Sequence, residues 1–349
     1  MRELAFEPVV IAALITALIA LCLSVLMAVL IIGFRLWRGR VERHEKAFID
    51  EWEPALFIAM DGPLALKVPT LSRPDLAVFL ELWTHLQEVT RGVVSENLNR
   101  FLSDNIPTRR IIAMMEHAGI RHRLVAVTAL GHLHSRAAIG PLTKLVADPQ
   151  PILSYAAMRA LLRIDPNEML PHLVPTILTR ADWPISRLSA LFRELGANVI
   201  TGPLLDRPLN PTKAEALRLL PLLALCHRER VDPAIREWMK IQSDPEVISA
   251  GLKFMSAPED IPMLMAAAKN DDWRVRAAAA SGLGEVGGPA EQRTLETLLS
   301  DASWWVRYRA AKALVSLRGA TDAALNQIVA TSTDKFAREI LQQVMAEEA

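Results

Sequence analysis

The feature that most constrains this chain is an internal repeat. The run Trp273-Arg274-Val275-Arg276-Ala277-Ala278-Ala279-Ala280-Ser281-Gly282-Leu283 returns 31 residues later as Trp304-Trp305-Val306-Arg307-Tyr308-Arg309-Ala310-Ala311-Lys312-Ala313-Leu314. The shift places Trp on Trp, Val on Val, Arg on Arg, two Ala on Ala and Leu on Leu, and Leu264 falls likewise on Leu295. Looser copies put an equivalent apolar position at Leu130, Leu161, Leu195, Leu225, Met255, Leu283 and Leu314, at intervals of 31, 34, 30, 30, 28 and 31 residues. A helix pair of this length cannot bury its apolar face alone and does so against the next copy, so the period predicts stacked helix pairs, about seven or eight of them. Asp148-Pro149 and Asp244-Pro245 mark turns between copies. Ala279, Ala280, Ala310 and Ala311 permit close helix packing. Aromatic residues are 5% of the chain, which argues against a β-sandwich or barrel, and two cysteines exclude a disulfide scaffold.

The second constraint lies at the N-terminus. Val9 to Phe34 is a run of 26 residues without a charge. As a helix it spans about 39 Å, more than the roughly 30 Å hydrocarbon core of a bilayer. Arg35, Arg38, Arg40, Arg43 and Lys46 follow it against Glu42 and Glu45, and Trp37 stands where an interfacial ring belongs. The positive-inside rule then places the N-terminus outside and the body in the cytoplasm, a single-pass protein of the plasma (inner) membrane. The run is too long for a signal peptide and no small-residue cleavage site follows it. Ala12, Thr16, Ala20, Ser24 and Ala28 recur every fourth residue as a small-residue stripe, a docking face for a second transmembrane helix. Whether it pairs the chain with itself or with another protein stays open.

The predicted organisation is a short tail over 1–8, a transmembrane helix over 9–34, a basic juxtamembrane segment over 35–50, a helical N-terminal cap over 51–120 and repeats over 121–349. In the cap, Pro54, Pro63, Pro69 and Pro74 read as turns. Ser72 with Pro74 and Asp75 reads as a helix start, and Leu76, Phe79, Leu80, Trp83 and Leu86 form one apolar helix face. Arg91-Gly92 breaks that helix, and a second runs to about Ser103, before Pro107.

The repeat resembles the HEAT-like repeat of the bacterial type first described in phycobilisome lyases. The residues carrying the resemblance are Asp272-Trp273-Arg274-Val275-Arg276 with Ala279-Ala280 and Leu283-Gly284, and Val306-Arg307 with Ala310-Ala311 and Leu314. Arg123 to Gly131 is a third copy that keeps Ala129-Leu130-Gly131, and the copies over 183–240 are degenerate. The resemblance implies an all-α fold, a HEAT-like α-solenoid, here with an N-terminal single transmembrane helix. It implies little about function, since such folds serve many tasks.

Few motifs point to chemistry. Gly282-Leu283-Gly284-Glu285-Val286-Gly287 fits the dinucleotide fingerprint literally, but an Ala-rich helix precedes it where a strand is required, so the glycines read as a helix end and tight turn. His122 and His132 would lie about 15 Å apart on one helix, too far to share a metal. No catalytic, metal or cofactor-binding residue is expected. Arg276 and Arg307 occupy equivalent positions near Asp271, Asp272 and Asp301, either as Arg–carboxylate links between copies or as a row for an acidic partner. Trp273 and Trp304 share one repeat position and read as core. Trp305, which stands where the other copy has Arg274, reads as surface, and with Tyr308 and Arg309 forms a candidate interaction cluster.

Beyond residue 46 the chain carries 33 basic against 35 acidic residues, without the basic excess of a nucleic-acid binder. These readings predict a non-enzymatic, membrane-anchored interaction scaffold. Its solenoid binds a cytoplasmic protein and its transmembrane helix docks a membrane partner. One alternative is an accessory subunit of an inner-membrane enzyme complex such as an exopolysaccharide synthase, which the anchor and the helix Leu82-Trp83-Thr84-His85-Leu86-Gln87-Glu88 with Arg91-Gly92 resemble. Another is a chromophore-lyase-like enzyme, implied only by the name of the repeat family.

Overall fold

The computed structural model describes residues 8–62, 71–206 and 211–348. The chain divides into two units, Met1–Ile164 and Asp165–Ala349. Among the described residues every regular element is a helix.

The first unit holds α1 (Pro8–Asp61), α2 (Arg73–Val89), α3 (Val93–Asn105), α4 (Thr108–His117), α5 (Ile120–His132), α6 (Ile139–Val146) and α7 (Pro151–Ile164). Ser72 caps α2, its side chain accepting from the Asp75 amide, with Pro74 in the first turn. Leu76, Phe79, Leu80, Trp83 and Leu86 are all buried, as their spacing predicts. Trp83 Nε1 donates to the Leu98 carbonyl at 3.0 Å and ties α2 to α3. The turn between these helices places Gly92 at φ 64, a left-handed value that glycine adopts without strain.

α1 is one continuous helix of 54 residues. From Ala12 to Arg38 it is exposed throughout. Its last turns carry Phe48, Trp52, Leu56 and Ala59 on one face, all buried, and pack on α2 and α3. Trp52 meets Phe79 edge-on at 5.8 Å, His44 Nε2 lies 2.7 Å from Asp75 Oδ1, and Asn97 donates to the Met60 carbonyl at 3.0 Å. Pro54 therefore does not make the expected turn but sits inside α1. The amide it lacks would have bonded the carbonyl of exposed Asp50, where water can substitute, and the buried face on either side holds the helix together. Pro63 and Pro69 lie outside the described residues. Further on, α5 packs on α2 and α7, α4 on α5, and α6 on α7.

The second unit holds α8 (Pro166–Thr179), α9 (Ile185–Leu195), α10 (Ala197–Leu205), α11 (Lys213–Leu223), α12 (Arg228–Met239), α13 (Pro245–Gly251), α14 (Ile261–Ala267), α15 (Trp273–Val286), α16 (Gln292–Leu299), α17 (Trp304–Ser316), α18 (Asp322–Thr331) and α19 (Lys335–Glu348). α9, α11, α13, α15, α17 and α19 follow one another in contact, each on the next. α8, α10 and α12 form a second row, and α14, α16 and α18 pair with α15, α17 and α19. This is the two-row stack of helix pairs that the period requires.

Glycine sets the spacing of the stack. A Cβ on Gly284 would lie 2.7 Å from Ala313 Cα, and one on Gly131 would lie 3.0 Å from Ala160 Cα. In each unit the glycine that follows the repeat leucine (Leu130, Leu283) meets the alanine that precedes the next one (Leu161, Leu314). Gly282 is also enclosed, its hypothetical Cβ 2.6 Å from Leu264 Cδ2. Gly282 and Gly284 thus lie inside α15 and do not end it; Gly287 alone is its C-cap. They are glycines because neighbouring helices approach too closely for a side chain.

Gly284→Val should cost about 3 kcal/mol or prevent folding, because the clash is with backbone. Gly140→Ala, in α6 with nothing within 4 Å of its Cβ, should stabilise by about 0.5–1 kcal/mol. Thermal melts of the two variants against the parent chain check both signs.

His132 closes α5 inside the first unit, edge-on to Trp83, and its Nε2 accepts from Arg163 Nη1 at 2.8 Å. The ring is therefore neutral. Burial, with Arg163, Arg159 and His134 nearby, holds its pKa down to about 4. Because the unfolded ring titrates near 6.5, the folded state gains stability that is full above that value and is lost as pH falls towards 4, on the order of 2 kcal/mol. Denaturation midpoints should fall between pH 6.5 and 4, and His132→Gln should flatten that slope.

Candidate interaction groove

The two readings of the arginine row separate in the structure. Arg276 Nε and Nη2 donate to both carboxylate oxygens of Asp301, at 2.7 and 2.9 Å, and its Nη1 donates to the carbonyls of Asn270 and Asp271. Arg123, its equivalent in the first unit, pairs with Asp148 at 3.1 Å and donates to the Met115 carbonyl. The two pairs share a spacing of 25 residues. They share a turn as well: Asp301 Oδ1 accepts from the Ser303 amide and Asp148 Oδ1 from the Gln150 amide. One carboxylate thus closes its own turn and holds the arginine of the preceding copy. Asp301 raises the pKa of Arg276 further, chiefly through these hydrogen bonds.

Arg307 repeats half of this arrangement. Its Nη1 donates to the carbonyls of Asp301 and Ala302. The position that should hold its carboxylate partner is Ser332, and its buried Nε has no hydrogen-bond partner. Its guanidinium lies 5.5 Å from the Phe336 ring centroid. Arg276 and Arg307 are therefore parts of the stack.

The predicted aromatic cluster is continuous at its centre, where Trp304 meets Trp305 edge-on at 4.9 Å, and its outer members turn to different neighbours. Trp304 stacks on Tyr308 with ring centroids 5.1 Å apart. Tyr308 donates to Glu347 at 3.1 Å, and Lys312 lies 5.8 Å from its ring, so this face is turned towards the end of α19. Trp305 and Arg309, one turn apart on the other face of α17, line a groove of about 420 Å³ over α15. Trp273 forms the facing wall with Arg274, and Lys253 closes the α13 side. The floor is made of small residues of α15, Ala277, Ala278, Ser281 and Gly282.

Trp273 and Trp304 are not core residues. They are 41% and 45% exposed, beside 53% for Trp305. Both occupy the first helical position after a turn, and Val275 and Val306 fill the core instead. Lys253, Glu285 and the groove role of Trp273 escaped the sequence reading. Lys253 lies in a recognised copy but outside the Trp-Arg-Val-Arg motif that marks the two C-terminal ones. The face Arg274, Ala278, Ser281, Glu285 was readable as the complement of the buried set Val275, Ala279, Leu283, Val286.

Charge in the groove is uneven. Arg274 is held by both oxygens of Asp272, which lower the acid's pKa to about 2 in return. Lys253 and Arg309 are exposed and make no ion pair among the described residues. Glu285 is the one carboxylate lining the groove. Among the described residues, no group of three or more His, Cys, Asp or Glu is placed to hold a metal ion. In the N-terminal stripe, the Thr16 and Ser24 hydroxyls donate to the carbonyls of Ala12 and Ala20 at 2.8 Å. The stripe therefore offers small size and no free donor.

Helix pairs in register, close glycine contacts and the Arg–Asp links define a helical repeat protein. A family model described as HEAT repeats matches residues 108–191, 246–311 and 261–346, together more than half of the chain. The chain belongs to the HEAT-repeat family. Among solved structures, an engineered protein matches over 84% of this chain and 82% of its own, at 18% identity and a TM-score of 0.22. No curated protein matches.

Asp301→Ala should leave Arg276 without its partner and cost about 2 kcal/mol, the pair being mostly but not wholly removed from solvent. Ser332→Asp should supply the missing link to Arg307 and gain up to about 1 kcal/mol. Denaturant unfolding of each variant measures both.

Proposed function

We propose that this chain is a single-pass membrane protein whose HEAT repeats hold a protein partner at the membrane surface. It works as a non-enzymatic scaffold. The observation carrying this reading is α1. It is the one helix among the described residues long and apolar enough to cross a membrane, and none of its apolar window is buried. A greasy helix left fully exposed in water is costly, while in lipid it satisfies all its backbone groups internally. Its far end is packed into the first unit through Phe48, Trp52, Leu56 and Ala59. The basic cluster from Arg35 to Lys46 favours an orientation with the repeats in the cytoplasm.

Two surfaces support partner binding. The small-residue stripe of α1 suits a second transmembrane helix, its docked partner in lipid. The groove of Trp273 and Trp305 suits a cytoplasmic one. The proposed segment limits remain those of the sequence: tail over 1–8, span over 9–34, basic juxtamembrane segment over 35–50, cap over 51–120 and repeats over 121–349. The Trp-Arg-Val-Arg pattern favours the lyase-type variant of the repeat, as a statement about sequence and not about chromophore chemistry.

The test compares the full chain with one starting at Arg40, which keeps His44, Phe48 and Trp52. Full-length protein should resist alkaline extraction from membranes and the shorter chain should not. A protein captured in mild detergent by both chains supports the scaffold, and one captured by full length alone assigns docking to α1. Extraction of the full chain by alkali refutes the anchor. Capture of nothing by either chain refutes the scaffold.

A further inference from the structure

We infer that the groove between Trp273 and Trp305 takes an acidic peptide segment carrying at least two apolar side chains. This rests on the scaffold reading above and adds the chemistry of its partner.

Three observations select that occupant. The first is apolar surface. Trp273 and Trp305 stand about half exposed on successive helices of the stack and face one groove across a floor of small residues. Neither ring contributes to the core, which Val275 and Val306 fill. Large rings of this kind anchor interfaces by burying apolar partners. A volume of about 420 Å³ lies within the range of ligand-sized sites. It admits a few side chains, not a folded domain.

The second is charge. Arg274 is neutralised by Asp272, which leaves Lys253 and Arg309 against Glu285. The groove therefore carries a positive excess on a body whose charge beyond residue 46 is net negative. The two free cations stand on opposite sides of the apolar floor, Lys253 towards α13 and Arg309 on α17. Apolar anchors between the tryptophans would thus be flanked by carboxylates at both ends.

The third concerns a competing ligand. Free phosphate or a headgroup phosphate is held by converging backbone amides or an open helix N-terminus. The floor here is the middle of α15, and the N-terminus of that helix is already capped by the Asp272 carboxylate. The two cations stand on opposite sides of that floor, which suits separate carboxylates of an extended segment better than one shared phosphate.

The test is selection of random peptides displayed on phage against the full-length protein in nanodiscs, counter-selected on the Trp305→Ala variant. Enriched peptides should be net acidic with at least two apolar or aromatic residues. Their affinity should fall at least about tenfold in Trp305→Ala and fall further with added salt. The paired variant Lys253→Glu with Arg309→Glu should enrich basic peptides instead, a reversal that simple loss of folding cannot produce. Tyr308→Phe, on the other face of α17, should leave binding unchanged. Enrichment of basic or neutral peptides by the parent protein overturns the proposal. So does failure to enrich any peptide dependent on Trp305, or competition by inorganic phosphate or phosphatidylserine vesicles at the same site. Should a protein partner still be captured by the full chain and bind Trp305→Ala unchanged, this inference fails while the scaffold reading stands.

Discussion

At the two best-kept steps of the stack, the backbone contact between the residue after one repeat leucine and the residue before the next sets the geometry on which the other links depend. Gly131 against Ala160 and Gly284 against Ala313 allow successive helices to approach until no Cβ fits between them. At that separation the turn carboxylates Asp148 and Asp301 reach the arginines Arg123 and Arg276. The close contact fixes distance and the ion pair fixes register. Neither suffices alone: a glycine contact permits sliding, and a partly exposed ion pair contributes little without rigid placement. The same pairing of contact and link occurs in both units, which identifies it as a rule of this chain's repeat.

That rule also decides where the sequence is free to vary. Val275, Ala279, Leu283 and Val286 are committed to the core, Arg276 to the link, and Gly282 and Gly284 to close approach. What remains of α15 is the face Arg274, Ala278, Ser281, Glu285, and the equivalent face of α17 begins with Trp305 and Arg309. The groove is thus the surface left over once stacking is satisfied. Arg307 marks the limit of the rule: Ser332 offers no carboxylate, and the guanidinium turns to Phe336.

The helical class, the period and the core positions were legible because a repeat presents the same constraint several times. Leu130, Leu161, Met255, Leu283 and Leu314 are buried, while Leu195 and Leu225, in the degenerate copies, are only half-buried. The start of α2 was legible because capping is local chemistry. What escaped depends on contacts distant in sequence. Pro54 resembles a turn until the packing of Phe48 and Leu56 on either side carries the helix through it. Gly282 and Gly284 resemble a helix end until Leu264 and Ala313 press against them. Trp273 and Trp304 resemble core because they repeat, yet they stand one step outside it. Periodicity shows that a position is shared, not which way it faces. Lys253, outside the Trp-Arg-Val-Arg motif, carried no local signal.

If α1 is the anchor proposed above, its continuity changes what that anchor can transmit. A flexible linker between span and body would pass on only proximity, raising local concentration. Here the helix that leaves the apolar run enters the first unit without a break, and Trp52 is locked against Phe79. With the apolar half placed in a membrane as proposed, its rotation about the helix axis would be rotation of that unit. The stripe from Ala12 to Ala28 advances by four residues at each step, so it winds about 40° per step around the helix. A row of that pitch is the ridge used in right-handed crossings of closely packed membrane helices. A membrane partner seated along it would fix the rotation of α1 and, through Phe48, Trp52, Leu56 and Ala59, the azimuth of the unit Met1–Ile164. Docking in the membrane would then set orientation as well as position.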